Sequence, residues 1–456
     1  MKGHIAILGG GPTGLGAAYR LKELGYTDFT VYERANHLGG LAASFTDENG
    51  FTWDVGGHVT FSHYEYFDRL YDLLIGDRFQ KNTRESWVRM QGTWVPYPLQ
   101  NNIRYLPKEV AYECLSGLIT AQTTLDHRKA KNFEEFIEAV FGQGLCDHFM
   151  KPYNFKVWAH PPSMMNKEWI GERVAVIDVQ KALKNYVLGI DELGWGPNSN
   201  FRYPLTGGVG TICTQLHKTV AEHFKLGHEA AEIDLDAKSI CFSNGETANY
   251  EAMLTTMPLD LFCGHKATRG MSPEMKAKGK GLRHSGGYIV GIGVRRPCPS
   301  TWSWMYFPDS DCPFYRVTYL SNYSPAMTPG NEYHSLLCET SYSEFKPVDK
   351  DSIIADTIQG LINVGLLNES DRDLIVSTWL YDADYAYPTP SLERDAILSE
   401  VIPYLESKGV YSRGRFGLWK YEVSNTDHTV MQGVEWANRM VLGEAETTIG
   451  IHYPES

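Results

Sequence analysis

The chain has 456 residues, of which 43% are hydrophobic and 21% are charged, and its formal net charge is −13 at pH 7. This composition is typical of a globular protein with two or three domains, so it excludes disorder, collagen and coiled coil as the main architecture. A chain this acidic is a poor candidate for wrapping nucleic acid or coating an anionic membrane, and it would need locally placed arginines to hold an anionic ligand.

The cysteines and the N-terminus indicate a protein of the cytoplasm. The eight cysteines include no CxxC pair, which predicts free thiols rather than a metal site or a disulfide framework. The apolar run Ile5–Leu8 is too short for the core of a signal peptide, and no apolar stretch approaches the ~18 residues of a membrane span. We therefore expect a cytoplasmic protein with no bound metal and no membrane insertion.

The N-terminal segment has the pattern of a strand, a glycine-rich turn, a helix and a second strand. Ile5–Leu8 is typical of a buried strand, and residues 15–24 have helical spacing that Gly25 ends. Residues 29–32 are the second strand, with Glu33 at its end. This order predicts a β-α-β unit at the start of the fold.

Gly9, Gly11 and Gly14 form a GxGxxG motif between this first strand and helix. In a dinucleotide fold the first glycine makes the tight turn, the second lets a pyrophosphate approach the backbone, and the third lets the helix pack close to the strand. The helix N-terminus then faces the phosphates. Glu33 lies where a carboxylate can accept the ribose hydroxyls, so the segment predicts a bound dinucleotide.

The rest of the chain alternates between helical and strand patterns. Residues 105–195 are mostly helical, and Asn132 with Glu135 has the spacing of a helix cap. One apolar face of that helix follows, made by Phe133, Phe136, Ile137, Val140 and Phe141. Strand patterns appear at 287–294, 314–320 and 334–340, and helical patterns at 353–364 and 392–405.

Further glycine pairs extend the dinucleotide motif. Glu33-Arg34 is followed by Gly39-Gly40 and later by Gly56-Gly57-His58. This pattern resembles the extended FAD motif of the flavoprotein class that includes amine oxidases and nucleotide-sugar mutases. In that class a glycine-rich segment near the C-terminus closes over the flavin ring, and residues 414–417 and 425–428 have that position. The resemblance implies tightly bound FAD.

A series of unusual strings makes the resemblance more specific. In chain order they are GGHVTFSH at 56–63, WVPYPLQNN at 94–102, KPYNFKVW at 151–158, GER at 171–173, WGPN at 195–198, CPFYR at 312–316, SNYSP at 321–325, YPTP at 387–390 and GRFGLWKY at 414–421. Taken in this order, they resemble the UDP-galactopyranose mutase family, and its eukaryotic-type branch more than the typical bacterial one.

The resemblance implies an α/β fold with three units. They are a Rossmann-like FAD-binding domain, an inserted helical domain and an antiparallel β-sheet domain that contributes to the substrate site. We expect the FAD-binding domain at 1–71, 210–284 and 373–456, the helical domain at 105–194, and the β-sheet domain at 72–104, 195–209 and 285–372.

The family's motifs also imply which residues form the site. The implied catalytic residues are His58, Arg173 and Arg316, with the two arginines on the substrate diphosphate. The implied FAD contacts are Gly9, Gly11, Thr13, Gly14, Glu33, Arg34, Gly40, Leu41, Gly57, His58, Gly414, Arg415, Asn425 and Asp427. The implied substrate contacts are Phe61, His63, Arg84, Tyr97, Gln100, Tyr153, Asn154, Trp158, Arg173, Asn198, Trp304, Tyr306, Arg316, Tyr323, Tyr387 and Tyr421.

The implied activity interconverts UDP-galactopyranose and UDP-galactofuranose without net redox. N5 of the reduced flavin attacks the anomeric carbon and expels UDP, the flavin–sugar adduct opens and recloses as the other ring, and UDP returns. NADPH or NADH would reduce the flavin. The expected partner is the UDP-sugar, and the oligomeric state, including a homo-oligomer, stays open.

Three alternatives remain at this point. The first is a mutase that acts on another nucleotide-linked pyranose, because one side chain can decide the orientation of one hydroxyl. The second is a flavin oxidase or dehydrogenase of the amine-oxidase type, which gives no reason for the paired arginines and tyrosines. The third is a binding protein like the GDP dissociation inhibitors, against which the intact Gly9, Gly11, Gly14 and Glu33 argue.

Overall fold

The computed structural model describes residues 3–170, 174, 178–193, 196–265 and 268–450. The strands, numbered along the chain, are β1 (Ile5–Leu8), β2 (Phe29–Glu33), β3 (Ser44–Thr46), β4 (Thr52–Asp54), β5 (Phe79–Thr83), β6 (Ser86–Met90), β7 (Thr93–Pro96), β8 (Asn200–Pro204), β9 (Phe224–Leu226), β10 (Ala230–Asp234), β11 (Ser239–Phe242), β12 (Thr247–Asn249), β13 (Ala252–Thr255), β14 (Thr268–Arg269), β15 (His284–Val294), β16 (Trp304–Tyr306), β17 (Arg316–Tyr319), β18 (His334–Tyr342), β19 (Ile375–Pro388) and β20 (Val410–Ser412). The α-helices are α1 (Pro12–Glu23), α2 (Glu65–Ile75), α3 (Lys108–Thr124), α4 (Phe133–Leu145), α5 (Lys151–Trp158), α6 (Val179–Leu188), α7 (Gly210–Lys218), α8 (Leu259–Gly264), α9 (Pro273–Gly279), α10 (Leu320–Tyr323), α11 (Ile353–Asn363), α12 (Arg394–Ser407) and α13 (Thr426–Leu442).

A five-stranded parallel sheet in the order β20-β13-β1-β2-β9 carries the predicted dinucleotide unit. All four residues of β1 are buried at its centre, because the strands of a parallel sheet have both faces covered. The turn between β1 and α1 therefore lies at the carboxyl edge of the sheet, where ligands bind in such folds. The predicted α/β class with a Rossmann-like unit is confirmed.

A second, seven-stranded sheet has the order β19-β15-β18-β17-β16-β6-β7 and is antiparallel except between β16 and β6. One row of residues crosses three of its strands: Tyr306 is opposite Arg316, and Arg316 is opposite Glu339. This register brings residues from separate parts of the chain to one place on the sheet.

The position of β19 corrects one predicted boundary. The division at residue 373 assigned this strand to the FAD-binding domain, but β19 pairs with β15 along most of its length. The strand therefore belongs to the antiparallel sheet, and only the chain after it returns to the parallel sheet, at β20. The other predicted domain boundaries stay predictions.

Helices α3 to α6 share one hydrophobic core with strands β6 and β7. The side chain of Asn132 accepts a hydrogen bond from the Glu135 amide at 2.8 Å, so the predicted cap begins α4. Phe133, Ile137 and Phe141 of the predicted apolar face are buried. None of the helices in the described part of the chain is long and apolar enough to cross a bilayer. All eight cysteines are free thiols.

Candidate functional site

A cavity of about 740 Å³ begins at the carboxyl edge of the parallel sheet and extends to the antiparallel sheet. This volume is within the usual range for a cofactor or small-molecule site. The predicted FAD contacts on its wall are Gly9, Gly11, Thr13, Glu33, Arg34, Gly40, Leu41, Gly57, His58, Gly414, Arg415 and Asn425. Arg316, Tyr387 and Tyr421, which the motifs imply as substrate contacts, line the same cavity.

The three glycines of the GxGxxG motif are required for three different reasons. Gly9 has φ +114°, and a Cβ there would lie 2.0 Å from Thr256 Oγ1. A Cβ on Gly14 would lie 1.9 Å from the carbonyl oxygen of Gly9. A Cβ on Gly11 would meet no atom nearer than Gly39 O at 4.0 Å, and Gly11 has an ordinary extended backbone. The space beside Gly11 therefore lies open for a ligand rather than for protein.

Glu33 is fixed at the end of β2 by the backbone. Its Oε2 accepts from the Gly10 amide at 2.7 Å, and its Oε1 accepts from the Ala35 amide at 2.8 Å. The carboxylate thereby joins the glycine-rich turn to the end of β2, at the position where a ribose would follow the pyrophosphate. With the open space at Gly11 and the N-terminus of α1, these residues fit FAD.

The C-terminal loop that closes this end of the cavity is held by a buried glutamine. Gln432 of α13 is fully buried, accepts from the Gly414 amide at 2.7 Å and donates to Val423 O at 2.7 Å. Arg415 donates to Ala386 O at the end of β19 and to Ser424 Oγ. These contacts fasten the loop to both α13 and the antiparallel sheet.

His58 lies on the cavity wall as a neutral imidazole. Burial and the nearby charges of Arg316 and Arg415 outweigh Glu339 and lower its pKa to about 4. Its Nδ1 is 3.0 Å from the carbonyl oxygen of Gly56. Since a carbonyl can only accept, Nδ1 carries the proton and Nε2 is left as an acceptor. This state does not suit a general base that works near pH 7.

Arg316, the implied diphosphate ligand, makes a two-bond ion pair with Glu339 at the far end of the cavity. Its Nε donates to Glu339 Oε1 at 2.8 Å and its Nη2 to Oε2 at 2.7 Å. Glu339 also accepts from the Tyr315 hydroxyl at 2.6 Å and from the Gly57 amide at 2.8 Å. The arginine is therefore held in one orientation at the cavity wall.

Tyrosine hydroxyls surround this arginine. The Tyr315 hydroxyl is 3.0 Å from that of Tyr387, and the rings of Tyr387 and Tyr421 are 5.8 Å apart. The guanidinium of Arg415 lies 5.2 Å from the ring of Tyr387 and 5.4 Å from that of Tyr421. This end of the cavity thus combines two guanidinium groups with several hydroxyl donors, which suits a phosphate ester.

Aromatic residues of the helical region continue from these tyrosines. The ring of Trp158 is 4.8 Å from that of Tyr421 and 5.6 Å from that of Tyr387. The ring of Tyr306 is 5.1 Å from that of Tyr97 and 5.6 Å from that of Tyr153, and Trp304 Nε1 donates to the Tyr306 hydroxyl at 2.6 Å. Trp158 is buried, whereas Tyr97, Tyr153 and Tyr306 are partly exposed and have flat surfaces that can stack on a base or a sugar.

Several implied contacts do not lie on the cavity wall. Asp427 is buried below it, accepts from the amide of His63 and binds the rings of His63 and His428. Asp427 thereby fixes two histidines, and its predicted contact with the cofactor stays a prediction. Gly14 likewise serves helix packing, as its contact with Gly9 requires.

The other implied substrate contacts lie around this region rather than on its wall. Phe61 lines a second, shallower groove, Arg84 donates to Asn198 Oδ1 at 2.5 Å, and Gln100 is buried. Asn154 donates its amide to Met150 O within its own helix at 2.7 Å, and Tyr323 packs in the core against Phe201 and Tyr203. Arg173 lies outside the described residues.

Sequence reasoning missed Glu339, Tyr315 and Gln432. Glu339 was recognisable as a lone charged residue in the apolar strand pattern of β18. Tyr315 belongs to the CPFYR string at 312–316 but had no predicted role. Gln432 is a polar residue on a buried helix face. Each depends on a partner that is distant in the chain.

The sequence pattern of the flavin-containing amine oxidoreductases matches residues 12–400. The chain therefore belongs to this family of flavin-containing proteins. Among curated proteins, protoporphyrinogen oxidase 2 of Arabidopsis thaliana is 24% identical over 319 residues, which are 59% of this chain. The chain spans 60% of that relative's length.

A solved structure of reduced UDP-galactopyranose mutase is far more similar. It is 44% identical, has a TM-score of 0.95, and the match covers 99% of this chain and 96% of that one. Within the larger family the chain belongs with the UDP-galactopyranose mutases, and the expectation of an enzyme of the isomerase class is confirmed. A structure from Exiguobacterium sp. 255-15, provisionally a protoporphyrinogen oxidase, has a TM-score of 0.74 over 97% of this chain and 100% of that chain at 14% identity, which shows the shared fold alone.

Proposed function

We propose that the protein interconverts UDP-galactopyranose and UDP-galactofuranose, with reduced FAD in the cavity and without net redox. The observation that carries this proposal is one continuous cavity that joins the dinucleotide-binding turn at Gly11 to the guanidinium of Arg316 and the hydroxyls beside it. A similar solved mutase was studied in its reduced form, which supports the same state here.

The first part of the mechanism is the binding of UDP. Arg316 offers a fixed guanidinium to the diphosphate, with hydroxyls of Tyr387 and Tyr421 nearby. Charge-assisted contacts of this kind stabilise a phosphate leaving group as its negative charge grows. We propose that Arg173 adds a further positive charge.

The aromatic residues hold the other parts of the nucleotide. Tyr97 and Tyr153 present ring faces for the base, the buried Trp158 packs against Tyr387 and Tyr421, and Trp304 donates a hydrogen bond to the hydroxyl of Tyr306. UDP that stays bound while the sugar ring opens and recloses returns in an effectively intramolecular step. The protein's main contribution is therefore to hold UDP and the sugar in register.

When bound and reduced, FAD supplies the nucleophile, its N5, so the covalent catalysis belongs to the cofactor. His58 lies on the wall of the same cavity and would face the bound cofactor as a neutral imidazole whose Nε2 can accept a hydrogen bond. Because the chain as a whole is acidic, the binding of an anionic substrate depends on the local positive charges of Arg316 and Arg415.

Incubation of the reduced, FAD-loaded protein with UDP-galactofuranose tests this function directly. We expect chromatography to show conversion to UDP-galactopyranose. Conversion of a different nucleotide-linked furanose in its place would assign another pyranose, and oxidation of an amine with oxygen consumption would assign the oxidase activity.

The remaining expectations form part of the same proposal. NADPH or NADH reduces the flavin, and the product serves glycan or cell-wall biosynthesis. The protein acts in the cytoplasm, without nucleic acid and without membrane insertion, as a monomer or a homo-oligomer. Light scattering measures the oligomeric state, and cell fractionation tests the location in the cytoplasm.

A further inference from the structure

Glu339 is a buried carboxylate on the cavity wall, where it contacts both Arg316 and the loop at Gly57, and it lies outside the sequence strings given above. It is 2% exposed. Its Oε1 accepts from Arg316 Nε and from the Gly57 amide, and its Oε2 accepts from Arg316 Nη2 and from the Tyr315 hydroxyl, all at 2.6 to 2.8 Å. An ionised carboxylate has about four acceptor positions, so these partners use its full capacity.

Glu339 stays ionised because the effect of its charge and hydrogen-bond partners on its pKa exceeds the effect of its burial. Burial by itself would raise the pKa of this carboxyl, but the charge of Arg316 and the hydrogen bonds from Arg316, Tyr315 and Gly57 lower it below its ordinary value. Removal of one partner of such a buried ion pair is strongly destabilising, because it leaves the other charge uncompensated.

Gly57 is packed directly on this ion pair. A Cβ at Gly57 would lie 2.8 Å from Thr318 Oγ1, 3.0 Å from Glu339 Oε1 and 3.4 Å from Arg316 Nη2. The lack of a side chain at this position therefore lets the 56–58 loop contact the pair. That loop carries His58 and lines the cofactor half of the cavity.

We propose that Glu339 is a positioning residue that fixes the guanidinium of Arg316 relative to the 56–58 loop at the flavin. This inference rests on the proposed function, in which Arg316 binds the substrate diphosphate. Because one carboxylate bonds to both, neither element can shift without the other. Among the described residues, Arg316 Nη1 has no hydrogen-bond partner, so the pairing directs the remaining donor edge of the guanidinium to the ligand.

The test uses the full chain with FAD bound and the variant Glu339→Gln, which keeps the size of the side chain and removes its charge. The new amide group faces donors and can no longer accept from all of them. We expect UDP to bind roughly ten- to a hundredfold more weakly in a calorimetric titration. We also expect the visible flavin spectrum and midpoint potential to shift without UDP, because the negative charge beside the 56–58 loop is lost.

Asp371→Asn is the matched control. Asp371 is a carboxylate that is 4% exposed and paired with Arg296, and it does not line the cavity. We expect Asp371→Asn to destabilise the fold, because it removes a buried charge partner, but to leave UDP affinity and the flavin spectrum as in the wild type. Glu339→Asp, which keeps the charge on a shorter side chain, serves as the second variant if Glu339→Gln does not fold, and we expect smaller shifts in the same direction.

The double variant Arg316→Ala with Glu339→Gln separates positioning from a general structural role. If Glu339 acts on UDP through Arg316, its removal costs no further UDP affinity in that background but still shifts the flavin spectrum. Additive losses of affinity, or Glu339 variants with affinity and spectrum equal to those of Asp371→Asn, overturn the inference. If the wild type itself does not bind UDP, the proposed function fails, and an unchanged flavin spectrum in the Glu339 variants then overturns the inference separately.

Discussion

Gly14 lies so close to Gly9 that a Cβ on Gly14 would come within 1.9 Å of the Gly9 carbonyl oxygen, whereas a Cβ on Gly11 would find 4.0 Å of clear space. We therefore predict that Gly11→Ala folds normally but loses FAD, because only the pyrophosphate needs that space. Gly14→Ala should not fold, because α1 cannot approach β1.

Circular dichroism and FAD content after denaturation distinguish these two outcomes. Gly365→Ala is the control, since a Cβ there meets nothing within 4 Å, and it costs only about 1–2 kcal/mol for a left-handed alanine. A Gly11→Ala protein with a full complement of FAD would show that no ligand occupies the space beside Gly11.

Removal of Arg316 should weaken UDP binding and spare the cofactor. A charge-assisted contact to a desolvated phosphate is worth about 1.5–3 kcal/mol, so Arg316→Ala should raise the Kd for UDP roughly ten- to a hundredfold. Arg316→Lys should recover only part of this, because an ammonium cannot bond to Glu339 through two planar donors and still face the ligand.

Calorimetric titration of UDP into the FAD-loaded variants measures this effect, with FAD content as the internal control. Unchanged affinity in Arg316→Ala would remove Arg316 from the substrate site. Loss of FAD would instead place it in the cofactor site. Arg173→Ala, measured in the same way, tests the second implied arginine.

Asp54 should make the stability depend on pH. Burial raises the pKa of this carboxyl to about 6, despite hydrogen bonds from Ser44, Tyr203 and the Val209 amide. A raised pKa in the folded state means that the group's contribution to stability is present below the unfolded value, about 4, and is lost as the pH rises through 6.

Asp54→Asn has no charge to bury, so its Tm relative to the wild type should increase between pH 4.5 and 7. Thermal unfolding of both proteins across this range measures the difference. A difference in Tm that stays constant with pH would contradict the raised pKa.

Arg413 and Glu446 form a buried ion pair that fastens the C-terminal segment. Their side chains are 0% and 1% exposed and are joined by two hydrogen bonds of 2.5 and 2.7 Å. Glu446→Gln leaves the arginine charge partly uncompensated, so we predict a loss of about 3–5 kcal/mol in the free energy of unfolding. Urea unfolding measures it, and the exposed Glu444→Gln should change little. Equal stability of both variants would contradict this account.

The parts of the fold and site that depend on local sequence could be predicted. The strand, turn and helix around Gly9, Gly11 and Gly14 follow from requirements that lie within a few residues, and Glu33 follows at a fixed spacing. The cap at Asn132 is local in the same sense. Such features need no knowledge of what lies across the fold.

The remaining features depend on partners that sequence patterns do not connect. Arg316 was marked by a motif, but its partner Glu339 is set by the register of β17 against β18. The position of Asp427 in the chain likewise gives no sign of its hydrogen bonds to His63, which lies 364 residues earlier. A period-two pattern also does not tell which of two sheets a strand joins, so β19 was assigned to the wrong one.

The most direct test of the central claim compares turnover by the reduced and oxidised forms of the FAD-loaded protein. UDP-galactofuranose is supplied to both, and UDP-galactopyranose, oxygen and NADPH are followed together. We predict many turnovers by the reduced form, with no reductant or oxygen consumed per product. We predict no turnover by the oxidised form. Equal rates in the oxidised form under air, or one equivalent of reductant or oxygen consumed per product, would contradict it.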